Sequence, residues 1–289
     1  MHIITGGTGH VGSALTEALL KKGEKVTIIS RSSEKAQEWI SKGASFAVAD
    51  IYDTTALHEI FKKGKTVFLL NPSADPMTDT TLQERKTVVS LVEALKYSGV
   101  EKVVVGSTAG AQPGSNNGDL GILYELEQQI SRLSYPYSII RPAYYMSNWD
   151  SALKMITKNG ELVSFIPAEL KIPMVAPKDI GELAATLMTK KDSPKFNQIQ
   201  GPETYSPNDV ATAFSKALNR EVRVSVVPKE QWKNTFKAMG FSDRAAESYS
   251  RMTEISVNSC FEMQGDFVKG ASTLQQYIDD LVKKTNVQH

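Results

Sequence analysis

The sequence predicts an α/β fold, a doubly wound parallel sheet with a smaller, mostly helical C-terminal lobe. Three observations predict it. Six short apolar runs alternate with five helical stretches over the first 140 or so residues, the pattern of a parallel sheet with helices on both faces. The first run passes directly into glycines at three-residue spacing and then a helix. After residue 146 the alternation stops and helical periodicity dominates.

Residues 1–5 read as a short buried strand. Gly6, Gly9 and Gly12 follow, and Val11, Leu15, Ala18 and Leu19 fall on one face of the next helix, which Gly23 closes. Strand, glycine turn and helix in that order form a dinucleotide-binding fingerprint of the Rossmann type. Gly6 allows the tight turn, Gly9 lets backbone approach a pyrophosphate, and Gly12 lets the helix pack closely. The N–H groups from Thr8 through Gly9, His10 and Val11 are expected to face the phosphates, aided by the helix dipole.

The second strand is Val26–Ser30, and Arg31, Ser32, Ser33 and Lys35 follow it. An acidic residue at this strand tip would bind the ribose 2′-hydroxyl of NAD, whereas an arginine accommodates the 2′-phosphate of NADP. Arg31 stands there, with Lys35 near, so NADP(H) is expected in preference to NAD(H). Strand three, Ser45–Ala49, ends at Asp50 and Ile51, a carboxylate and an apolar side chain suited to adenine; the alternative is that Asp50 or Asp53 caps the following helix, which runs to about Lys63.

Strand four, Thr66–Leu70, is wholly apolar and is broken by Asn71 and Pro72, which should sit over the nicotinamide ribose. A helix from about Thr80 to Ser98 leads to strand five, Lys102–Gly106, then Ser107 and Thr108. Residues 109–118 form a Gly/Asn/Pro-rich loop, either a lid or a surface connection. The next helix, Asp119 to Leu133, carries Tyr124, and strand six is Tyr137–Ile140.

Beyond it, Asn148–Lys158 reads as a helix, 161–176 as short extended pieces, 177–189 as a helix and Phe196–Gln200 as a strand returning to the sheet. Pro207–Leu218 is helical, Val222–Val227 an edge-like strand, and the remainder helical at about 229–239, 242–257 and 272–284. The expected division is a dinucleotide-binding core of residues 1–146, rejoined by 177–200, and a substrate lobe of 147–176 and 201–289. Trp149, Phe165, Trp232, Phe236, Met239 and Phe241 supply the lobe's apolar bulk, and some should line a cleft against the strand ends.

Composition narrows the classes. The 289 residues are 41% hydrophobic and carry a net charge of +1, so nucleic acid and anionic membrane surfaces are not expected partners. No stretch approaches the roughly 18–20 apolar residues of a membrane span. With the first strand beginning at residue 2, there is no room for a signal peptide and the cytoplasm is the expected compartment. Cys260 is the single cysteine, expected as a small buried hydrophobe. His2, His10, His58 and His289 are scattered, and no metal is expected. A monomer or homodimer acting on a small molecule is the expected form.

One segment is more specific. Residues 137–149, Tyr-Ser-Ile-Ile-Arg-Pro-Ala-Tyr-Tyr-Met-Ser-Asn-Trp, together with the N-terminal glycines, Arg31 and Asp50, resemble the NmrA-like branch of the atypical short-chain dehydrogenases. That branch has T-I-L-R-P-x-x-F-M-x-N here, matched by Ser138–Pro142 and Met146–Asn148. Pro177–Ala184 resembles a second family segment in which Asp179 anchors a helix. The resemblance is good over about residues 1–200 and fades beyond. It implies NAD(P)H-dependent reduction of quinones, dyes or isoflavone-type compounds, or NADP sensing.

Active short-chain dehydrogenases pair a tyrosine with a lysine four residues on, which lowers the phenol pKa for proton transfer. Here the helix reads Tyr124-Glu-Leu-Glu-Gln128, without the lysine. The same absence argues against a sugar-nucleotide epimerase. Hydride transfer to a small planar acceptor such as a quinone remains the expected activity, with Ser107, Thr108, Tyr124 and Tyr144 near the contact and Tyr124 and Ser107 as the candidate catalytic residues. Tyr144 is also counted with the cofactor contacts. The alternative is a non-catalytic NADP(H) sensor acting through a protein partner.

Overall fold

The computed structural model describes residues 1–115, 117–259 and 265–286; Cys260 and His289 lie outside them. The chain begins β1 (His2–Thr5), α1 (His10–Lys21), β2 (Val26–Ser30), α2 (Ala36–Ser41), β3 (Ser45–Val48) and α3 (Thr54–Phe61). It continues β4 (Thr66–Leu70), α4 (Thr80–Leu95), β5 (Lys102–Gly106), α5 (Asp119–Ser131) and β6 (Tyr137–Pro142). The second half runs β7 (Tyr144–Tyr145), α6 (Ala152–Asn159), β8 (Glu161–Ser164), β9 (Ile172–Val175), α7 (Pro177–Thr189) and β10 (Phe196–Gln200). It closes with β11 (Thr204–Tyr205), α8 (Pro207–Leu218), β12 (Arg223–Val226), α9 (Trp232–Ala238), α10 (Asp243–Asn258), β13 (Phe267–Lys269) and α11 (Leu274–Asn286).

Eight strands form one parallel sheet in the order β13-β10-β6-β5-β4-β1-β2-β3. Its central strands are almost wholly buried and mostly apolar because helices cover both faces. One face packs Ile3, Val67, Val103 and Ile139 against Leu57, Leu91 and Leu126 of α3, α4 and α5. The other packs Ile4, Phe68, Val104 and Ile140 against Leu15, Leu19, Ile180 and Ala184 of α1 and α7. A third cluster, including Met146, Trp149, Ile156, Met174, Phe214 and Ile278, fills the C-terminal part.

Strand order reverses between β1 and β4. Their pairing stops at Ile4 and Phe68, and the Thr5 hydroxyl spans the gap, accepting from Leu70 N–H at 2.8 Å and donating to Phe68 O at 3.1 Å. Such a switch point opens a crevice at the carboxyl ends of the strands.

Several expectations are corrected. The segment after α10 is not wholly helical: β13 adds an edge strand to the main sheet, and its three exposed residues carry no hydrophobic period. The strand expected at Val222–Val227 is present as β12 and pairs in parallel with β8. The helix expected over 148–158 is split into a 3₁₀ turn, Met146–Trp149, and α6. Helix α4 stops at Leu95 rather than Ser98, where Tyr97 adopts a φ of +59°.

Candidate functional site

The glycine turn is built as its spacing demands. Gly6 has a φ of +63° and its carbonyl accepts from Gly9 N–H at 3.0 Å. A Cβ at position 12 would lie 2.2 Å from Gly6 O and 2.6 Å from Gly7 Cα, so Gly12 serves close packing of the helix on the turn itself. A Cβ at position 9 would meet only Gly6 O, at 3.4 Å, and Gly9 faces open space. No side chain caps α1, and Ser13 N–H donates to Gly9 O at 2.8 Å. The N–H groups of His10, Val11 and Gly12 therefore have no partner within the helix, while Thr8 leads into it. This uncapped turn fits a pyrophosphate.

The other expected cofactor residues follow the ends of neighbouring strands. Arg31 follows β2 and is exposed, without an ion pair among the described residues; Lys35 is exposed one turn on. Asp50 lies beyond β3, where one carboxylate oxygen accepts from Tyr52 N–H at 2.9 Å in a local turn, and Asp53 caps α3 through Ala56 N–H. Ile51 is half-buried against the core. Asn71 and Pro72 follow β4, Ser107 follows β5 and Tyr144 lies just past β6.

A cleft of about 600 Å³ opens over the ends of β4, β5 and β6. Asn71, Pro72, Ser107, Thr108 and Tyr144 line it, whereas the glycine turn, Arg31, Lys35, Asp50 and Ile51 lie outside it. Its far wall is aromatic. Phe165 stacks on Phe236 at 4.3 Å between centroids, and Phe241 and Tyr249 meet edge to face at 5.0 Å. Trp149 and Met239 also face it, while Trp232 is turned away, its indole N–H donating to Val227 O at 2.9 Å. Helix α10 forms the roof. Ser242 N–H donates to Pro76 O at 2.8 Å, its hydroxyl donates to Thr78 O at 2.6 Å, and Arg244 pairs with Asp79 at 2.7 Å. The 109–118 loop contributes Gly110 and Gln112 to the lining, and Gly118 lies under Met252 of α10.

The two candidate catalytic residues have different surroundings. Ser107 is buried and its hydroxyl donates to Glu127 at 2.5 Å. Glu127, 1% exposed, in turn receives a two-pronged ion pair from Arg141 at 2.9 and 2.5 Å. Tyr124 does not line the cleft. It sits one turn before Glu127 on the same side of α5, within electrostatic reach of Arg141, but outside the residues that line the cleft.

Two carboxyls escaped sequence reasoning. Glu84 of α4 is 2% exposed and hydrogen-bonds Asp119, the first residue of α5, which lines the cleft. Ala74 N–H donates to Glu84 at 3.0 Å. Burial is the main cause that raises both carboxyls; the charge of Asp119 helps push Glu84 to about 8, whereas the hydrogen bond from Glu84 opposes the rise at Asp119. Glu84 was legible as a carboxylate in the buried row Thr80, Thr87, Leu91; Asp119 gave no signal beyond opening a helix. Burial also raises the Tyr144 phenol to about 12 and the Tyr145 phenol further.

Comparisons with known proteins agree with this architecture. The chain is 27% identical over 254 residues to the NAD(P)H azoreductase of Xenophilus azovorans, covering 87% of this chain and 86% of that one. Its fold superposes on NADPH-dependent quinone oxidoreductase of Escherichia coli complexed with NADPH, with a TM-score of 0.80, 19% identity and coverage of 97% and 99%. It superposes equally on Citrobacter sp. triphenylmethane reductase complexed with NADP(H), again with a TM-score of 0.80 and 19% identity, covering 97% and 100%. The family resemblance, expected to fade beyond about residue 200, extends further: the NmrA-like profile matches residues 2–278, and the chain belongs to the NmrA-like family.

Proposed function

We propose that this protein is an NADPH-preferring reductase that transfers hydride to a small planar acceptor such as a quinone. The observation that carries the reading is the aromatic-walled cleft over the strand ends beside the glycine turn. The azoreductase relative, spanning most of both chains, supports it.

In this reading the N–H groups at the start of α1 hold the pyrophosphate, with Gly9 leaving room for it. Arg31 and Lys35 grip the 2′-phosphate, and Asp50 and Ile51 flank adenine. Asn71, Pro72, Ser107 and Tyr144 hold the nicotinamide half; the buried Asn71 Oδ1 has no partner among the described residues and can accept from a ligand donor there. The bound cofactor supplies hydride. Phe165, Phe236, Phe241 and Tyr249 hold a planar acceptor and exclude water. Ser107, tied to Glu127 and Arg141, fixes the strand end that supports this contact. Tyr124 touches neither ligand, so Tyr124→Phe is expected to leave quinone turnover unchanged; a large loss would return the phenol to the reaction.

The test is a titration with NADPH and separately with NADH, followed by nicotinamide fluorescence, and then a panel of quinones added to the complex. Tight NADPH binding with catalytic consumption supports the reductase. Tight binding that survives every acceptor overturns turnover and favours the sensor.

A further inference from the structure

Among the described residues, four buried side-chain polar atoms lack a hydrogen-bond partner: Asn71 Oδ1, Ser98 Oγ, Asp119 Oδ1 and Trp149 Nε1. Three of the four belong to residues lining one cleft. Trp149 is only 5% exposed, yet its indole donor is unmet. A buried polar atom without a partner costs free energy, so such a concentration marks where a ligand supplies the missing bonds.

The unpartnered Asn71 Oδ1 can only accept a hydrogen bond and the unpartnered Trp149 Nε1 can only donate one. Asp119 can do more, because Glu84 lies behind it and no cationic side chain among the described residues pairs with either carboxyl. Two buried carboxyls in contact cannot both ionise readily, so together they retain a proton. The groups facing them are the phenols of Tyr145 on β7 and Tyr249 on α10, and Ala74 N–H from the loop after β4.

Ser107 and the tyrosine phenols near the cleft are poor proton sources. Ser107 gives its proton to Glu127. Burial makes the Tyr144, Tyr145 and Tyr249 phenols hold theirs more tightly than an exposed phenol would. Tyr124 is outside the lining.

Resting on the reductase reading above, we propose that Asp119, positioned by Glu84, is the proton donor to the acceptor reduced in this cleft. A quinone takes two electrons and one hydrogen as hydride from the reduced nicotinamide ring, which is oxidised. Negative charge develops on a quinone oxygen. The Asp119 O–H bond breaks as the new O–H bond forms on that oxygen, leaving the carboxyl pair without its proton. Solvent at the cleft mouth restores it. Asp119 touches the acceptor and is the catalytic residue; Glu84 acts through it and is a positioning residue.

The test compares two acceptors with NADPH. 1,4-Naphthoquinone needs both hydride and a proton. A cationic triphenylmethane dye takes hydride at its central carbon and needs no proton. Asp119→Asn is expected to lower the ratio of quinone to dye turnover about 100-fold, the usual worth of a positioned acid, and Glu84→Gln to lower it by a smaller factor. The wild-type ratio should fall as pH rises through the range where the pair ionises, and the Asp119→Asn ratio should not. In dinucleotide-free wild-type protein at pH 7, infrared spectroscopy should show the C=O stretch of a protonated carboxyl that Asp119→Asn removes. An unchanged ratio, or the absence of that band from the wild type, overturns the proposal and leaves the reductase standing. A wild type that reduces neither acceptor overturns the reductase, and the proposal with it.

Discussion

Arg141, the arginine of the Ser138–Pro142 segment, reaches across from β6 to clasp Glu127 of α5 at 2.9 and 2.5 Å, and Glu127 is almost wholly enclosed. The guanidinium also lies 5.2 Å over the Phe196 ring. Arg141→Ala strands a buried carboxylate and is expected to cost about 3–5 kcal/mol of stability, measured by urea denaturation. A loss below 1 kcal/mol would show that Glu127 finds water or another donor.

Gly181 of α7 packs directly on the backbone of α1, where a Cβ would fall 2.5 Å from Leu15 N and 2.7 Å from Ala14 C. Replacing a helical glycine by alanine normally stabilises by about 1 kcal/mol. Here the sign reverses, because backbone cannot give way as a flexible side chain can. Gly181→Ala is expected to destabilise by about 1–3 kcal/mol and to lower the thermal midpoint. A raised midpoint would mean that the two helices separate freely.

Arg31→Ala is expected to weaken NADPH binding by about 10–100-fold, the worth of a charged hydrogen bond, while leaving NADH binding within error. Fluorescence titration with both dinucleotides checks this, and equal losses remove the 2′-phosphate role.

Glu84 sets a stability dependence on pH. Its folded value, about 8, lies above the ordinary 4.5, so between these values the folded chain binds more protons than the unfolded one. Its contribution is therefore full below pH 4.5 and is lost as pH rises toward 8. Glu84→Gln should flatten the decline in that window by up to about 1.4 kcal/mol per pH unit, seen by comparing unfolding free energies of the two proteins from pH 5 to about 8. Parallel curves would mean that the carboxyl is ionised in the folded state.

The first six strands were legible because buried parallel strands are short apolar runs punctuated by glycine and proline, and each of Val26–Ser30, Thr66–Leu70 and Lys102–Gly106 has the bounds its pattern implies. Phe267–Lys269 was not, since an exposed edge strand of three residues is held by backbone pairing with β10 and leaves no side-chain signature. At the site, the glycine turn could be read residue by residue, because its conformational demands are local. The carboxyl pair could not, because Glu84 and Asp119 lie on helices that meet only through the packing of α4 on α5. The Asp179 anchor was legible as a helix-start carboxylate, but its partners, the N–H and hydroxyl of Ser272, are set by tertiary structure.

The bonds that hold α10 across the cleft come from Ser242 and Arg244, whereas the residues they grip, Pro76, Thr78 and Asp79, are made over 160 positions earlier. During synthesis the glycine turn and the floor of the cleft therefore emerge from the ribosome long before their cover. Phe165 must wait, wet and uncovered, for Phe236 and Tyr249 to arrive. For that interval the nascent chain displays an uncovered aromatic surface, and the cleft gains its roof only when translation has passed the α10 segment.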